Sequence, residues 1–208
     1  MKFEEIFANI DQNLSVIDTM REEVLQKTRL IVRKAAETIK AVHREEWDNA
    51  EKNIAEMRTA LKSVGEQVKQ HETLAKRNYV EISEQEFAEA AILYSLLHES
   101  QIKTPSDLQI PDLSWLLGLA DVAGELRRHC LDAIRNGNMA VAEHMLELME
   151  EIYQNLFSLD YPKGLLGGLR EKTDAVRKML QATRGELAIA THMARLNENL
   201  EKVLNKKE

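Results

Sequence analysis

The longest helical pattern of the chain runs through residues 24–44, VLQKTRLIVRKAAETIKAVHR. Apolar residues recur there at intervals of three and four, which is the spacing that places side chains on one face of an α-helix. Followed outward, the pattern predicts a single helix over residues 3–43. No segment shows the alternation of apolar and polar residues that is typical of a strand. We therefore expect an all-α protein.

Periodicity of the same kind predicts the other helices. They are expected over residues 47–69, from Ser83 onward, and over residues 112–134, 139–156 and 165–204, the last with a bend near Gly185. Ser83 followed by Glu86 matches a capping box, which marks the first turn of a helix. Pro105 and Pro111 prevent any helix from crossing the segment between them. Polar connections are expected at residues 76–79 and 135–138.

The composition is typical of one globular domain. The chain has 208 residues, of which 44% are hydrophobic and 30% charged, and it contains only 3 Pro and 8 Gly. We expect a single-domain bundle of about six to seven helices over residues 1–204, with a disordered tail at residues 205–208. No apolar run is long enough for a signal peptide or a membrane span. A single cysteine, Cys130, fits a reducing interior, so we expect a cytoplasmic protein.

Basic residues are concentrated in the first helix, although the whole chain has a net charge of −7. Between Arg21 and Arg44 there are seven basic and three acidic residues, a local balance of +4. Four of the basic residues fall within about 60° of one another on a helical wheel, and we call them the basic ridge: Arg29, Arg33, Lys40 and Arg44. Such a ridge suits phosphate contacts, and His43 beside it offers a further donor. The alternative is a solvated face in which Glu37 pairs with the cations.

Two acidic pairs stand out because apolar and small residues surround them. Glu86 and Glu89 lie in QEFAEA (residues 85–90), and Asp121 and Glu125 lie in GLADVAGEL (residues 118–126). Spacings of three and four place both carboxylates of a pair on one helix face. The apolar surroundings partly desolvate them, which is unfavourable unless a partner compensates. Hard oxygen ligands of this kind bind Mg²⁺, Mn²⁺ or Ca²⁺, and such ions support phosphodiester hydrolysis.

A structural role for the same acids is the alternative. Glu86 would then be a capping acid, and Glu125 would pair with Arg127 or Arg128. Two glycines favour the functional interpretation, since glycine is unfavourable inside a helix by about 1 kcal/mol. They are Gly118 and Gly124, and we expect another backbone or a ligand to approach closely there.

These motifs together make the chain resemble the translin family, and its TRAX branch in particular. The resemblance rests on residues 85–90 and 116–128, and further similarity lies at residues 42–44, 135–138 and 183–186. It implies a translin-like α-α superhelix that assembles into a hollow homo-oligomer, an octamer, around RNA or single-stranded DNA. By that similarity Glu86, Glu89 and Asp121 would be catalytic ligands of Mg²⁺ or Mn²⁺, with Glu125 as a fourth acidic member. The protein would then be a metal-dependent endoribonuclease.

Three functions remain open on this basis. The first is the endoribonuclease, the second is a non-catalytic barrel that binds single-stranded DNA or RNA, and the third is a helical scaffold without nucleic acid. The presence of all four acids favours the first over the second, and the basic ridge favours either over the third. The chain is shorter than TRAX, with a compact loop after Gln101, and it has no basic nuclear-import cluster. These differences favour a prokaryotic or archaeal homologue that forms a homo-oligomer.

Overall fold

The computed structural model describes residues 2–70 and 78–205, and the regular structure of these ranges is entirely α-helical. Six long helices and two single-turn helices make up these ranges: α1 (Phe3–His43), α2 (Trp47–Gln70), α3 (Asn78–His98), α4 (Pro105–Leu108), α5 (Asp112–Arg135), α6 (Met139–Phe157), α7 (Lys163–Leu166) and α8 (Leu169–Leu204). The all-α prediction is confirmed. Within the described ranges, none of the helices combines the length and the apolar character that a membrane span requires.

The chain divides into two compact units, the first ending at Gly118 and the second beginning at Leu119. In the first unit α1 packs along both α2 and α3, and α2 also contacts α3. Val24 of α1, Val64 of α2 and Val80 of α3 form one cluster of buried side chains. The apolar stripe that predicted α1 is therefore the face that joins the three helices.

Two lysines of α1 also face inward and bind α2. Lys27 Nζ donates to Ser63 Oγ and to Gln67 Oε1, each at 2.9 Å. Lys34 Nζ donates to Asn53 Oδ1 at 3.0 Å. Because buried polar groups need partners, these bonds fix how α1 is rotated against α2. Two of the basic residues of the first helix thus serve the fold.

In the second unit α6 and α7 pack against α8, and side-chain bonds attach α5 and α6 to α8. Arg127 of α5 donates to Thr183 Oγ1 and pairs with Glu186 at 2.9 Å. Arg184 of α8 pairs with Glu150 of α6 at 2.7 Å. The segment 183–186, singled out by its sequence, therefore anchors two neighbouring helices.

Four of the long helices begin and end within one residue of the predicted bounds. These are α1, α2, α5 and α6. As predicted, no long helix crosses the segment between Pro105 and Pro111. That segment contains only the four-residue helix α4, which begins at Pro105 and is capped by the Thr104 side chain. Gly137 has a φ of 75° in the predicted turn between α5 and α6, a conformation that favours glycine.

The predicted start of α3 is wrong. Asn78 and Tyr79 are helical, so Ser83 lies inside the helix and is not its N-cap. Its Oγ instead donates to the carbonyl oxygen of Val80 at 2.8 Å. The helix includes this earlier turn because Val80 and Tyr79 pack against the buried cluster that contains Val24. Residues 76 and 77 of the predicted connection lie outside the described residues.

The predicted helix over residues 165–204 is also wrong at its start. α7 ends at Leu166, Gly167 has a φ of 52°, and α8 begins only at Leu169. α8 then remains helical through Gly185 to Leu204. Of the predicted tail at residues 205–208, only Asn205 lies among the described residues.

α5 crosses α3 at very short range within the first unit. A Cβ atom added at Gly118 would lie 2.6 Å from Ala88 Cβ, 2.7 Å from the Gln85 carbonyl oxygen and 2.9 Å from the Glu89 backbone nitrogen. These separations are too short for non-bonded atoms, so the crossing requires glycine. The expected close approach of another backbone is confirmed at Gly118.

Gly124 does not mark a comparable crossing. Among the described residues, only Met179 Sδ lies within 4 Å of an added Cβ, at 3.9 Å, which is ordinary van der Waals contact. The close approach of a second backbone that we expected at Gly124 is therefore not present in the described part of the chain.

Replacement of Gly118 by alanine should destabilise the protein. The added methyl group would force α3 and α5 apart, and overpacking of this kind costs about 1–3 kcal/mol. The matched control is Gly65→Ala on α2, where nothing lies within 4 Å of an added Cβ. That control should stabilise the protein by up to about 1 kcal/mol through helix propensity. Urea unfolding of both variants measures the difference, and equal effects would contradict the close crossing.

Candidate functional site

Glu86 and Glu89 lie well inside α3, on the turn that Gly118 contacts. Both are half-buried, and their neighbours Phe87 and Ala88 are fully buried. The partial desolvation expected from the sequence is therefore present. Glu86 comes eight residues after Asn78, the first residue of α3, so it is not a capping acid. The structure thus contradicts that alternative and leaves two half-buried carboxylates on one helix face.

A third acid on the same helix, Glu84, was not predicted from the sequence. Glu84 Oε2 accepts a hydrogen bond of 2.8 Å from Ser114 Oγ on α5. Burial raises the pKa of the Glu84 carboxyl, and the hydrogen bond from Ser114 opposes this shift by stabilising the charged form. Ser114 precedes Gly118 by one helical turn, so this bond and the glycine contact hold α3 and α5 together at two successive levels.

Asp121 lies on α5 in the second unit and is paired with a lysine. Lys172 Nζ of α8 donates to Asp121 Oδ1, and the two side chains are 30% and 27% exposed. This lysine was not predicted from the sequence. Its signal was weak but present, since Lys172 lies about 60° from Leu169 on the wheel of α8 and so borders the buried stripe. Half of the second acidic pair is therefore neutralised by a cation of the chain itself.

Glu125 has a weaker ionic contact. Arg128 Nη1 lies 3.7 Å from Glu125 Oε2, and the arginine side chain is 57% exposed. Exposed pairs at this separation contribute little stability. Of the two arginines considered from the sequence, only Arg128 pairs with Glu125, because Arg127 turns to Thr183 and Glu186.

The chemistry of the two acidic pairs suits a hard divalent cation. Each pair offers half-buried carboxylates from one helix face, and carboxylate oxygen is the ligand that Mg²⁺ and Mn²⁺ prefer. The described residues include no group of three or more His, Cys, Asp or Glu that is placed to bind a metal.

The basic ridge lies on the solvent-exposed face of α1. Its four residues are exposed, whereas Lys27 and Lys34 of the same helix are directed towards α2. Arg33 lies 4.0 Å from Glu37 Oε1, the acid expected to be its partner, and this contact is too long and too exposed to bind the arginine firmly. His43 is only half-buried at the end of α1. The ridge therefore presents a row of charges that a polyanion would reach.

Two helix ends expose apolar side chains at alternating intervals of four and three. Those at the start of α1 are 46–80% exposed: Phe3, Phe7, Ile10 and Leu14. Those at the end of α8 are 51–68% exposed: Ile189, Met193, Leu196, Leu200 and Val203. We call them the α1 stripe and the α8 stripe. The spacing is that of coiled-coil contact positions, and this spacing is the signal by which the sequence alone could have revealed both stripes.

The chain is similar in sequence to a known protein family and to a protein of known sequence. A sequence model described as the Translin family matches residues 19–183. The uncharacterized protein MJ0175 of Methanocaldococcus jannaschii is 34% identical over 191 residues, which span 89% of this chain and 83% of that protein.

Solved structures show the same similarity over almost their entire length. The crystal structure of AfC3PO has a TM-score of 0.79 at 28% identity and covers 91% of this chain and 98% of its own. A complex of AfC3PO with duplex RNA has a TM-score of 0.78 at 27% identity, with coverage of 92% and 98%. Apo-NeC3PO, at 22% identity and a TM-score of 0.79, shares the fold over 88% of this chain and 96% of its own.

Proposed function

Because the chain belongs to the translin family, we propose that it binds RNA and cleaves it as a metal-dependent endoribonuclease of the TRAX-like branch. The observation that carries this proposal is the pair of half-buried carboxylate sets, Glu86 with Glu89 and Asp121 with Glu125. The similarity to AfC3PO, which has been solved with duplex RNA, supports RNA as the substrate. Single-stranded DNA is a further ligand to be tested.

In this proposal the carboxylates of the two pairs would be ligands of Mg²⁺ or Mn²⁺. The bound ion would supply a Lewis acid for phosphodiester hydrolysis. A carboxylate that the ion leaves unoccupied would accept a proton from water and orient that water towards the phosphate. The apolar neighbours of the acids lower the local dielectric and so strengthen their interaction with any cation.

The basic ridge would bind the RNA backbone. The ridge follows one exposed face of α1 and ends at its C-cap residue, Arg44. Its charges would contact successive phosphates without reading bases. His43 at the end of the same helix would add a donor. Binding of this kind depends on displaced counterions and therefore weakens steeply with salt.

The α1 and α8 stripes support a homo-oligomer. Contiguous exposed apolar side chains at coiled-coil spacing are unfavourable in water and are typical of surfaces that another helix covers. We propose a second copy of this chain as that partner, and a hollow octamer as the assembly. Such a shell would enclose the basic ridge and leave an acidic exterior, which accounts for local positive charge in a chain of net charge −7.

A non-catalytic protein that binds single-stranded DNA or RNA is the second candidate. The observation that favours it is the ionic pairing of the second acidic set, Asp121 with Lys172 and Glu125 with Arg128. If those cations are permanent partners, the acids serve the fold and the basic ridge alone supplies the function.

The first prediction of this proposal concerns cleavage. Glu89→Gln and Asp121→Asn should each reduce cleavage of labelled RNA in Mg²⁺ by at least about 100-fold, since even the partners of metal ligands contribute roughly 10–100-fold. EDTA should abolish cleavage by the native protein. The control Glu81→Gln changes an exposed acid of α3 and should leave cleavage unchanged. Cleavage that survives EDTA and both variants would indicate a contaminating nuclease, and binding without cleavage would favour the second candidate.

The second prediction concerns the basic ridge. Reversal of two of its charges, Arg29→Glu with Arg33→Glu, should weaken RNA binding and lower the slope of log affinity against log salt by about 2. The control Lys52→Glu with Lys62→Glu makes the same charge change on exposed residues of α2. Fluorescence anisotropy at several salt concentrations measures both variants, and an unchanged slope in the ridge variant would exclude the ridge as the RNA surface.

The third prediction concerns the assembly. Leu196→Lys with Leu200→Lys places charges in the α8 stripe and should reduce the mass in solution to a smaller multiple of 23.8 kDa. Glu198→Lys with Glu201→Lys adds as many lysines away from the stripe and should leave the mass unchanged. Light scattering coupled to size-exclusion chromatography measures the masses. A native protein with the mass of one chain, 23.8 kDa, would refute the oligomer.

A further inference from the structure

The contact between Lys172 and Asp121 differs from that between Arg128 and Glu125. Lys172 Nζ is within hydrogen-bonding distance of Asp121 Oδ1, and both side chains are half-buried. Arg128 approaches Glu125 only to 3.7 Å and is itself largely exposed. A half-buried carboxylate needs a hydrogen bond or a compensating charge. Lys172 supplies that charge to Asp121 from a different helix, 51 positions further along the chain.

An ammonium group and a divalent ion make the same demand on a carboxylate. Both seek the lone pairs of its oxygens, and a positive charge of either kind offsets the desolvation of the anion. The two cations also repel each other at short range in a medium of low dielectric constant. Asp121 would therefore not hold both in their most favourable positions at once.

We propose that Lys172 is a positioning residue that competes with the metal ion for Asp121. In the absence of metal Lys172 pairs with Asp121, holds its carboxylate in place and stabilises the fold. When Mg²⁺ or Mn²⁺ binds, it displaces the ammonium group from Asp121. This inference rests on the proposed function, because it takes Asp121 as a metal ligand. Its consequence is that Lys172 lowers the affinity of the protein for divalent ions.

Titration with Mn²⁺ followed by calorimetry tests the competition. Lys172→Met should bind Mn²⁺ about tenfold more tightly than the native protein, because its ion-pair competitor is gone. Without metal this variant should melt at a lower temperature, and Mn²⁺ should raise its melting temperature by more than that of the native protein. Lys172→Arg, which keeps the charge, should bind Mn²⁺ as the native protein does.

Lys103→Met is the matched control. Lys103 pairs with Glu99 at 2.6 Å, and the two side chains are 31% and 28% exposed, almost the same as in the Lys172–Asp121 pair. This substitution removes the same charge and breaks a comparable ion pair, so it should not change Mn²⁺ affinity. If Lys172 had only a structural role, Lys172→Met would melt at a lower temperature but would bind Mn²⁺ no more tightly. An unchanged or weaker affinity in Lys172→Met would overturn the proposal.

A second measurement needs no variant. Acylation of lysine amines in the native protein, quantified for each lysine by mass spectrometry, should proceed faster at Lys172 in Mg²⁺ than in EDTA, since an amino group released from Asp121 is more accessible to the reagent. The rate at Lys103 should be the same under both conditions. An equal rate at Lys172 with and without Mg²⁺ would overturn the displacement even if Lys172→Met did not fold.

Asp121→Asn separates this inference from the proposed function. If the native protein binds Mn²⁺ and Asp121→Asn loses that binding, Asp121 is a metal ligand whatever Lys172 does. If, in addition, Lys172→Met binds Mn²⁺ no more tightly than the native protein, only the competition is refuted. If the native protein binds no Mn²⁺ at millimolar concentration, both the metal site and the competition are refuted.

Discussion

The contact of Gly118 with the backbone of α3 is the constraint on which the first acidic pair depends. Any side chain at this position would collide with Ala88 or with the Gln85 carbonyl oxygen. The hydrogen bond from Ser114 to Glu84 lies one turn away and opposes rotation of the two helices against each other. Close packing of backbones leaves little room for adjustment. The turn that carries the first pair of carboxylates is consequently held rigidly.

The chain compensates half-buried acids in more than one way. Glu84 accepts a neutral hydrogen bond, and burial raises its pKa, so the structure tolerates its charge at some cost. Asp121 instead receives a full positive charge from Lys172. The Ser114 hydroxyl is neutral and leaves the negative charge of Glu84 in place, whereas the Lys172 ammonium group neutralises Asp121. Glu84 therefore serves the packing of α3 against α5, and Asp121 is the acid that the proposed function takes as a metal ligand.

Basic residues of α1 lie on two different faces of the helix. Lys27 and Lys34 point to α2 and form hydrogen bonds there, while Arg29 and Arg33 point to solvent. The positive balance of this helix therefore overstates what an outside ligand would meet, but the four residues of the basic ridge form a continuous row. The stripes at the ends of α1 and α8 follow the same logic, because each leaves an apolar face for a partner helix.

Residue order alone was enough to predict α1, α2, α5 and α6, because helical hydrogen bonds and side-chain periodicity connect residues only three or four apart. It also identified the acidic pairs and the basic ridge, whose members share a helix face. Tertiary structure decided the rest. α3 includes residues before Ser83 because Tyr79 and Val80 pack on a helix more than fifty residues away in sequence, and Lys172 meets Asp121 through a contact just as distant. Such pairings are set by how helices pack, and packing energy depends on surfaces that no local pattern specifies.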